Sequence, residues 1–417
     1  MRVAMLSWEY PPKSIGGLAR HVYDLTGALA AHGTELHLFT IGGPGLPEYE
    51  WVNGVHVHRA SPYDVSAPDF TTWVSQFNVA MLEKAIPVLN QHNNWAVIHA
   101  HDWLVAYAAR ALKHAYRIPL VATIHATEYG RNHGLHDDGQ RHISDVEWWL
   151  GYEAWRVICC SHYMEEEIKF VFQLPADKLA VIPNGVDPKN FVRKHEKLTR
   201  GDYAADNEKI VFFVGRLVRE KGVQVLLDAI PKILHYMPDT KFIISGKGPH
   251  YNELQNQTVR LGVAGRVYFT GYIDDYTRNS LFSWSDVAVF PSLYEPFGIV
   301  AIEAMAAQTP VVISDTGGLS EIVVHNLDGL KTYPGNPHSL ADNILAILGN
   351  PELARQLQEN AYRKVKEQFN WHDIAAQTLA VYKDVREEHR GQNWYARQNG
   401  FLGRFSKVWA KSPSQPQ

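Results

Sequence analysis

Short, wholly apolar runs alternate with longer amphipathic stretches along most of this chain, and that alternation leaves few folds open. A run too short for a helix and apolar at nearly every position is a strand buried on both faces. Strands buried in that way and separated by helices form parallel sheets covered by helices on each side. The first half is expected to carry strands at Val3–Ser7, Glu35–Thr40, Val55–Arg59, Ala96–Ala100, Leu120–Ile124, Val157–Cys160 and Ala180–Ile182. Leu18, Val22, Leu25 and Leu29 mark one face of a helix after the first strand. Beyond Asp187 the pattern breaks, and PKNFVRKHEKLTRGDYAADNEK is polar, charged and poorly periodic, as a linker is. The alternation restarts with IVFFVG, a helix at Val223–His235, and strands at Phe242–Ser245, Val267–Thr270, Val287–Phe290 and Val311–Ser314. The expectation is an α/β chain of two doubly wound domains facing a central cleft, residues 1–190 and 208–370. From Pro351 to about Arg390 the sequence reads as helix, and residues 391–417 form a basic, aromatic tail whose end is expected to be disordered. The tail suits either packing on the first domain or a membrane surface.

At 417 residues there is enough chain for two or three domains with cores of their own. A net charge of −4 gives no electrostatic case for nucleic acid. No apolar run approaches the roughly 18 residues of a membrane span, and MRVAMLSWEYPP lacks the long apolar region of a signal peptide. Cys159 and Cys160 are the only cysteines, too few for a disulfide framework or a four-ligand zinc site. The cytoplasm is the expected compartment. The oligomeric state is not legible.

In open α/β sheets ligands bind outside the carboxyl ends of the strands, and polar residues gather at those positions here. His99, His101 and Asp102 end one strand, His125 the next, and Ser161 and Asn184 follow two more. Each also serves as a cap or a satisfied buried group, the better reading for His99. Zinc at these histidines lacks an HExxH motif or a close His/Cys set. Gly16 and Gly17 sit where the first strand passes into its helix, a place where backbone can approach phosphate closely. The loop is not GxGxxG, and no acidic ribose ligand ends the second strand, HLFTIGG. Arg216 leaves a strand end in FFVGRLVREKGV, with Lys221 five residues on. Fixed cations there would stabilise a diphosphate whose charge grows as it leaves, Arg as a rigid fork and Lys as a point charge. A solvated basic turn has the same composition. ISGKGPH and FTGYID end two further strands, with Tyr272 either stacking on a base or lying free at the surface. DTGGLSE reads as a structural turn.

The most informative run is VFPSLYEPFGIVAIEAMAA. An apolar strand ends at Phe290, a turn through Pro291 and Ser292 leads to Glu295, and Gly298 precedes a helix through Ile299, Val300, Ile302 and Glu303. The free N–H groups and dipole of such a helix attract an anion. Glu295 stands before that N-terminus and Glu303 one turn inside, so phosphate can sit at the helix end while both acids hold hydroxyls of one ligand, a sugar nucleotide. Embedded in strand, PS turn, EPFG and helix, the E-x7-E spacing resembles that of retaining glycosyltransferases with the GT-B fold, two Rossmann-like domains about a cleft. The resemblance is to glycosyltransferase family four in particular, over roughly the first 370 residues.

That resemblance implies a division of labour. Gly16 and Gly17 match the family's GG loop at the donor phosphates, although the lysine that glycogen and starch synthases carry two residues earlier is here Ser14, with Lys13 one place further back. Arg216 and Lys221 match its diphosphate-binding G-R…K-G motif, Tyr272 lies where the base sits, and Gly298, Ile299 and Val300 line the donor phosphates. Glu303 holds the ribose, Glu295 the transferred sugar, His125 lies near that sugar, and Asp102 lines the donor or acceptor pocket. The final helix, near Trp371–Glu388, crosses back to the first domain. Asp137–Asp138 and Asp274–Asp275 are plain pairs rather than a D-x-D site, so no metal or other cofactor is expected. The leaving phosphate helps to deprotonate the acceptor on the same face; Glu295 as a covalent nucleophile is the older alternative. HAHDW, TIHATEYGR and EPFGIV look most like glycogen-synthase-like members, implying glucose transfer from ADP- or UDP-glucose to an α-glucan or oligosaccharide. Trp148 and Trp149 suit glucose stacking or a helix core. A small sugar, sugar phosphate or lipid-linked glycan as acceptor stays open, as do an isomerase resembling UDP-N-acetylglucosamine 2-epimerase and a non-catalytic sugar-binding protein.

Overall fold

Val3, Ala4, Met5 and Leu6 are wholly inaccessible to solvent, as a strand covered on both sides requires. The computed structural model describes residues 1–14, 16–63, 65–191 and 197–391. Eight strands form the first sheet: β1 (Arg2–Leu6), β2 (Glu35–Ile41), β3 (Tyr49–Val52), β4 (Val55–Ala60), β5 (Trp95–His101), β6 (Leu120–Ile124), β7 (Arg156–Cys159) and β8 (Leu179–Val181), in the order β3-β4-β2-β1-β5-β6-β7-β8. All pairings are parallel except β3 with β4. Six more strands form the second sheet: β9 (Lys209–Val214), β10 (Thr240–Ser245), β11 (Val267–Gly271), β12 (Val287–Phe290), β13 (Val311–Ser314) and β14 (Leu330–Thr332), in the order β11-β10-β9-β12-β13-β14. Both sheets reverse their strand order, one between β1 and β5 and the other between β9 and β12. A crevice opens at each reversal, outside the carboxyl ends of the strands. This is the GT-B architecture of two Rossmann-like α/β domains.

Two strands lie outside the sequence pattern. β3 alternates exposed with half-buried positions and turns back through Asn53 and Gly54, both at positive φ, into an antiparallel edge hairpin. An edge strand with Tyr49 and Trp51 facing solvent has no continuous apolar run to reveal it. β14 is only three residues long.

The stretch read as a linker is partly ordered. Residues Pro188–Phe191 form a single 3₁₀ turn, Phe191 packs on Phe282, and Asn279 Nδ2 donates to the Asn190 carbonyl at 2.7 Å. Residues 192–196, and the tail beyond Gly391, lie outside the described residues.

The last helix, Trp371–Gly391, lies on the first sheet rather than the second. Ile374, Ala375, Tyr382 and Val385 share a core with Val3, Met5, Val22 and Leu25. The Tyr382 hydroxyl sits 2.6 Å from His99 Nδ1, and Arg156 pairs with Glu388. Other bonds join the domains directly. Ser161 Oγ donates to the Pro296 carbonyl at 2.7 Å, the His162 and Tyr163 N–H groups donate to Glu321, and Arg20 meets Asp275 at 3.1 Å.

Because His99 is wholly buried and Tyr382 is the partner of its Nδ1, Tyr382→Phe strands that nitrogen. The expected cost is about 1–3 kcal/mol, read as a lower urea midpoint for unfolding of the first domain. An unchanged midpoint would show that the hydroxyl contributes nothing to the docking of the last helix.

Candidate active site

The loops after β9, β12 and β13 meet because two glycines let backbone touch backbone. Gly222 has φ +69°, and a Cβ there would lie 1.8 Å from the Pro291 carbonyl oxygen. A Cβ on Gly317, at φ +53°, would lie 2.3 Å from the Glu295 carbonyl oxygen. Held this way, Lys221 Nζ reaches Glu295 Oε2 at 2.6 Å, and Ser292 Oγ lies 3.3 Å from the same oxygen. Glu295 is buried, and Gly298, at φ +108°, starts the helix Ile299–Ala306 with no side-chain cap. The first N–H groups of that helix, including those of Ile299 and Val300, have no intrahelical acceptor. Glu303 lies one turn in, buried, 3.4 Å from an Arg278 nitrogen. The Arg278 Nε has no partner among the described residues, and Arg20 from the opposite domain feels the Glu303 charge. Arg216 remains half exposed and leans on Glu220 at 3.5 Å, so it does not join Lys221 and Glu295. Tyr272 is 72% exposed and stacks on nothing among the described residues.

Gly16 and Gly17 close the cleft from the first domain. The Gly16 N–H donates to the buried Glu9 carboxylate at 3.2 Å, and a Cβ on Gly17 would meet Ile299 Cδ1 at 3.0 Å. The glycine loop therefore lies against the N-terminus of the Glu303 helix. DTGGLSE acts structurally: Gly318 N–H donates to the Glu295 carbonyl at 2.9 Å and Glu321 accepts from the first domain.

Asp102 and His125 form one unit at the ends of β5 and β6. Asp102 has φ +60° and ψ 173°, a conformation that costs a non-glycine residue about 1–3 kcal/mol. Held so, its Oδ1 accepts the His125 backbone N–H at 2.8 Å. His125 Nε2 lies 3.1 Å from His101 Nδ1, and the His21 ring stands edge-on at 4.7 Å. Burial, and secondarily the Arg131 charge, push the His125 imidazole down to about 3; burial likewise depresses His21, His99 and His101. All four rings are neutral at neutral pH. Ligand atoms of His21, His101 and His125 lie within 4.8 Å of one another, a grouping the sequence spacing hid. The cavity against His21, His125 and Asn184 measures about 10 Å³, room for one water at most. The Asn184 side chain faces the His21 ring there, and nearby His101 Nε2 lacks a partner among the described residues.

Arg131 is the main residue the sequence reading missed. Burial works against its charge, but Asp102, Glu147 and Glu128 hold the guanidinium charged. Its nearest carboxylate oxygens stand at 3.6 and 4.0 Å, and a third of the side chain stays open to the cleft. Glu147, pushed up to about 8 by burial, accepts the Glu128 N–H with both oxygens. The signal was the basic residue in TEYGR, within a polar stretch that opens at a strand end. Trp149 packs on Tyr107 and Arg110, whereas Trp148 stacks on Tyr152 at the surface.

Comparison with known proteins agrees with this geometry. Residues 15–190 match the pattern described as Glycosyltransferase Family 4, and residues 196–364 that of glycosyl transferases group 1. An uncharacterised glycosyltransferase of Methanocaldococcus jannaschii is 41% identical, over 93% of this chain and 99% of that protein. A glycogen synthase of Mycobacterium tuberculosis is 35% identical, over 94% and 96%. The structure of a sucrose-phosphate synthase from Thermosynechococcus elongatus superposes with a TM-score of 0.81 at 27% identity, covering 92% and 98% of the two chains.

Burial holds the Asp102 carboxyl up to about 6, while Arg131 and the His125 N–H act in the other direction. Its folded value therefore lies above an unfolded value of about 3.9. The folded protein keeps that proton longer, so ionising Asp102 subtracts stability as pH rises from about 4 to about 6. Two units correspond to about 3 kcal/mol. Asp102→Asn retains an acceptor for the His125 N–H and is expected to be more stable than the parent by up to that amount at pH 8, with little difference at pH 4. Urea unfolding at both pH values measures this, and an Asn variant no more stable at pH 8 would show that the buried charge is fully compensated.

Proposed function

The chain belongs to glycosyltransferase family 4, and from that premise we propose that it transfers glucose, with retention and without a metal, from ADP- or UDP-glucose to an α-glucan or oligosaccharide. The observation that carries this reading is the 2.6 Å contact between Lys221 and Glu295 beside an uncapped helix N-terminus. A cation and an acid held together there match the junction between the diphosphate and the hexose of a sugar nucleotide. Likeness to a glycogen synthase at 35% identity supports glucose and a glucan acceptor. Around Arg131 the Asp102 and Glu128 carboxylates face one guanidinium, with Glu147 held mostly protonated by burial, so the cleft there has no surplus of cations and suits a hydroxyl-rich neutral acceptor better than a sugar phosphate.

In this mechanism the donor phosphates lie on the Ile299 and Val300 N–H groups and against Gly16 and Gly17. Lys221 stabilises charge on the departing diphosphate, and Arg216 swings from Glu220 to join it. Glu303, paired with Arg278, takes the ribose hydroxyls. Glu295 holds hydroxyls of the glucose and stabilises positive charge at its ring. The neutral His125, positioned through its backbone by Asp102, contacts the transferred sugar without adding a charge to it. The acceptor hydroxyl enters past Asp102 and Arg131 and gives its proton to the leaving phosphate.

A screen of ADP- and UDP-glucose against maltooligosaccharides, monosaccharides and sugar phosphates, following nucleotide release, tests the reading. Release is expected to need an acceptor and to survive excess EDTA. Loss of activity on chelation, restored by Mg²⁺ or Mn²⁺, would overturn the metal-free mechanism, and acceptor-independent turnover would favour an isomerase.

The two acids are expected to separate. Glu303→Ala weakens binding of free nucleoside diphosphate about tenfold to a hundredfold, the worth of a hydrogen bond to a charged group. Glu295→Ala lowers kcat by on the order of a hundredfold while the free nucleotide binds almost normally. Calorimetry with the nucleotide alone on both variants decides, and the reverse pattern would exchange their roles.

A further inference from the structure

On the first sheet, far in sequence from the strand-end loops of the cleft, a second group of imidazoles lies between β2, β4 and the end of the helix Phe70–Gln91. Residues Glu35 and His37 alternate onto one face of β2, and His56 is the direct partner of His37 across the parallel pairing with β4. The His37 and His56 rings stack at 4.3 Å, only 11° from parallel. Next to them stands His92, the C-cap of the helix, its ring 5.1 Å from that of His37. The last turn of a helix carries partial negative charge, which favours a cation.

The hydrogen bonds single out one nitrogen on each ring. His37 Nδ1 lies 3.1 Å from His58 Nε2, and His56 Nδ1 lies 2.9 Å from the Tyr49 hydroxyl. Metal-bound histidines are commonly fixed in this way, with the outer ring nitrogen tied to a neighbour and the inner one free. The remaining nitrogens are the Nε2 atoms. His37 Nε2 faces Glu35 Oε1 at 3.4 Å, and the ligand atoms of Glu35, His37 and His56 all lie within 4.8 Å of one another. Glu35 remains open to solvent and provides an entry path, although Arg2 donates to its Oε1 at 2.8 Å and competes for the carboxylate.

We propose that Glu35, His37 and His56 form a binding site for one divalent transition-metal ion of the zinc class, with His92 or water as fourth ligand. Two imidazoles and a carboxylate are a borderline donor set that suits Zn²⁺, Co²⁺ or Ni²⁺ and disfavours Mg²⁺ and Ca²⁺. Ligation at about 2.0–2.1 Å draws the three ligand atoms closer than they stand here, a movement within reach of the Glu35 and His56 side chains, which are only partly buried. A bound ion would pin β2, β4 and the helix end together at the rim of the sheet, away from the transfer chemistry.

The test uses the full chain without a histidine tag, stripped with chelator and titrated with Co²⁺ and with Zn²⁺. One equivalent is expected to bind, giving the visible absorption of four-coordinate cobalt and raising the Tm. His56→Ala and Glu35→Gln are each expected to weaken binding at least about tenfold and to abolish the zinc-induced rise in Tm, while glucosyl transfer without metal stays at the parent level. The metal-free Tm of each variant reports that it has folded. No binding at tens of micromolar ion, or binding of the same strength in both variants, would overturn the proposal. The latter result would send the ion to His21, His101 and His125, where zinc would instead inhibit transfer.

Discussion

Everything at the donor side of the cleft depends on the backbone contact between Gly222 and Pro291. β9 and β12 are neighbours in the second sheet, so the loops that follow them leave the same edge side by side. At ordinary loop spacing Lys221 and Glu295 would face each other across a gap wide enough for water. The missing Cβ of Gly222 lets the loops close, and the Leu293 N–H locks them by donating to the Glu220 carbonyl at 2.7 Å. The Gly317–Gly318 turn after β13 then closes over Glu295 from the other side. Three consecutive strand ends of one sheet thus hold a single carboxylate. A partly buried ion pair of this kind adds little to folding stability, because desolvation offsets most of the Coulomb gain. Its worth lies in fixing where positive and negative charge stand before a ligand arrives.

The opposite wall works on another principle. Where the second domain presents paired charges, the first presents four uncharged imidazoles beside a carboxyl that burial holds up to about 6 and the Arg131 guanidinium. In the transfer proposed above, a diphosphate leaving group carries its charge towards Lys221 on the second-domain wall. The hexose of that proposed donor passes neutral rings and the Asp102 carboxylate, with the Arg131 charge offset by the acids around it, an arrangement that does not oppose a developing cation. Asp102 at its positive φ and His101 Nε2, without a partner among the described residues, are local costs to stability. Such costs gather where function sets the geometry, and the fully packed strands on either side offset them.

How much of this was legible in the sequence depended on the range of the interaction. Buried parallel strands announce themselves because burial on both faces demands an unbroken apolar run, so the expected strands fall within a residue or two of β1, β2 and β4 to β13. β3 carried no such run and was silent. Glu295 and Glu303 were legible because their spacing is local, one turn and part of a helix apart. Their partners were not: Lys221 is 74 residues from Glu295, and Arg278 is brought to Glu303 by the packing of another helix. The same holds for His21, His101 and His125, and for His37 and His56, where only strand order and register join residues far apart in the chain. Arg131 was hidden differently, since nothing local distinguishes a cleft arginine from a surface one until Asp102, Glu128 and Glu147 are seen around it.

The chain crosses between its two domains twice, and the crossings run together. The Val186 N–H, entering the segment that leads to the second domain, donates to the Phe369 carbonyl, on the segment leading back, at 2.8 Å. Beside them Gly185 sits so close to the returning helix that a Cβ would lie 2.8 Å from Trp371 and Ile374. Two connections bonded to each other act as one hinge rather than two, so relative motion of the domains has to pivot about this pair. The pivot is not remote from the site: the Phe369 ring stands edge-on to Phe297 at 5.9 Å, and Phe297 is the residue before Gly298. A rotation that opens the cleft therefore pulls on the turn between Glu295 and the helix N-terminus that carries Glu303. Pivoting of the domains and displacement of the turn between Glu295 and Glu303 are, on this geometry, the same movement.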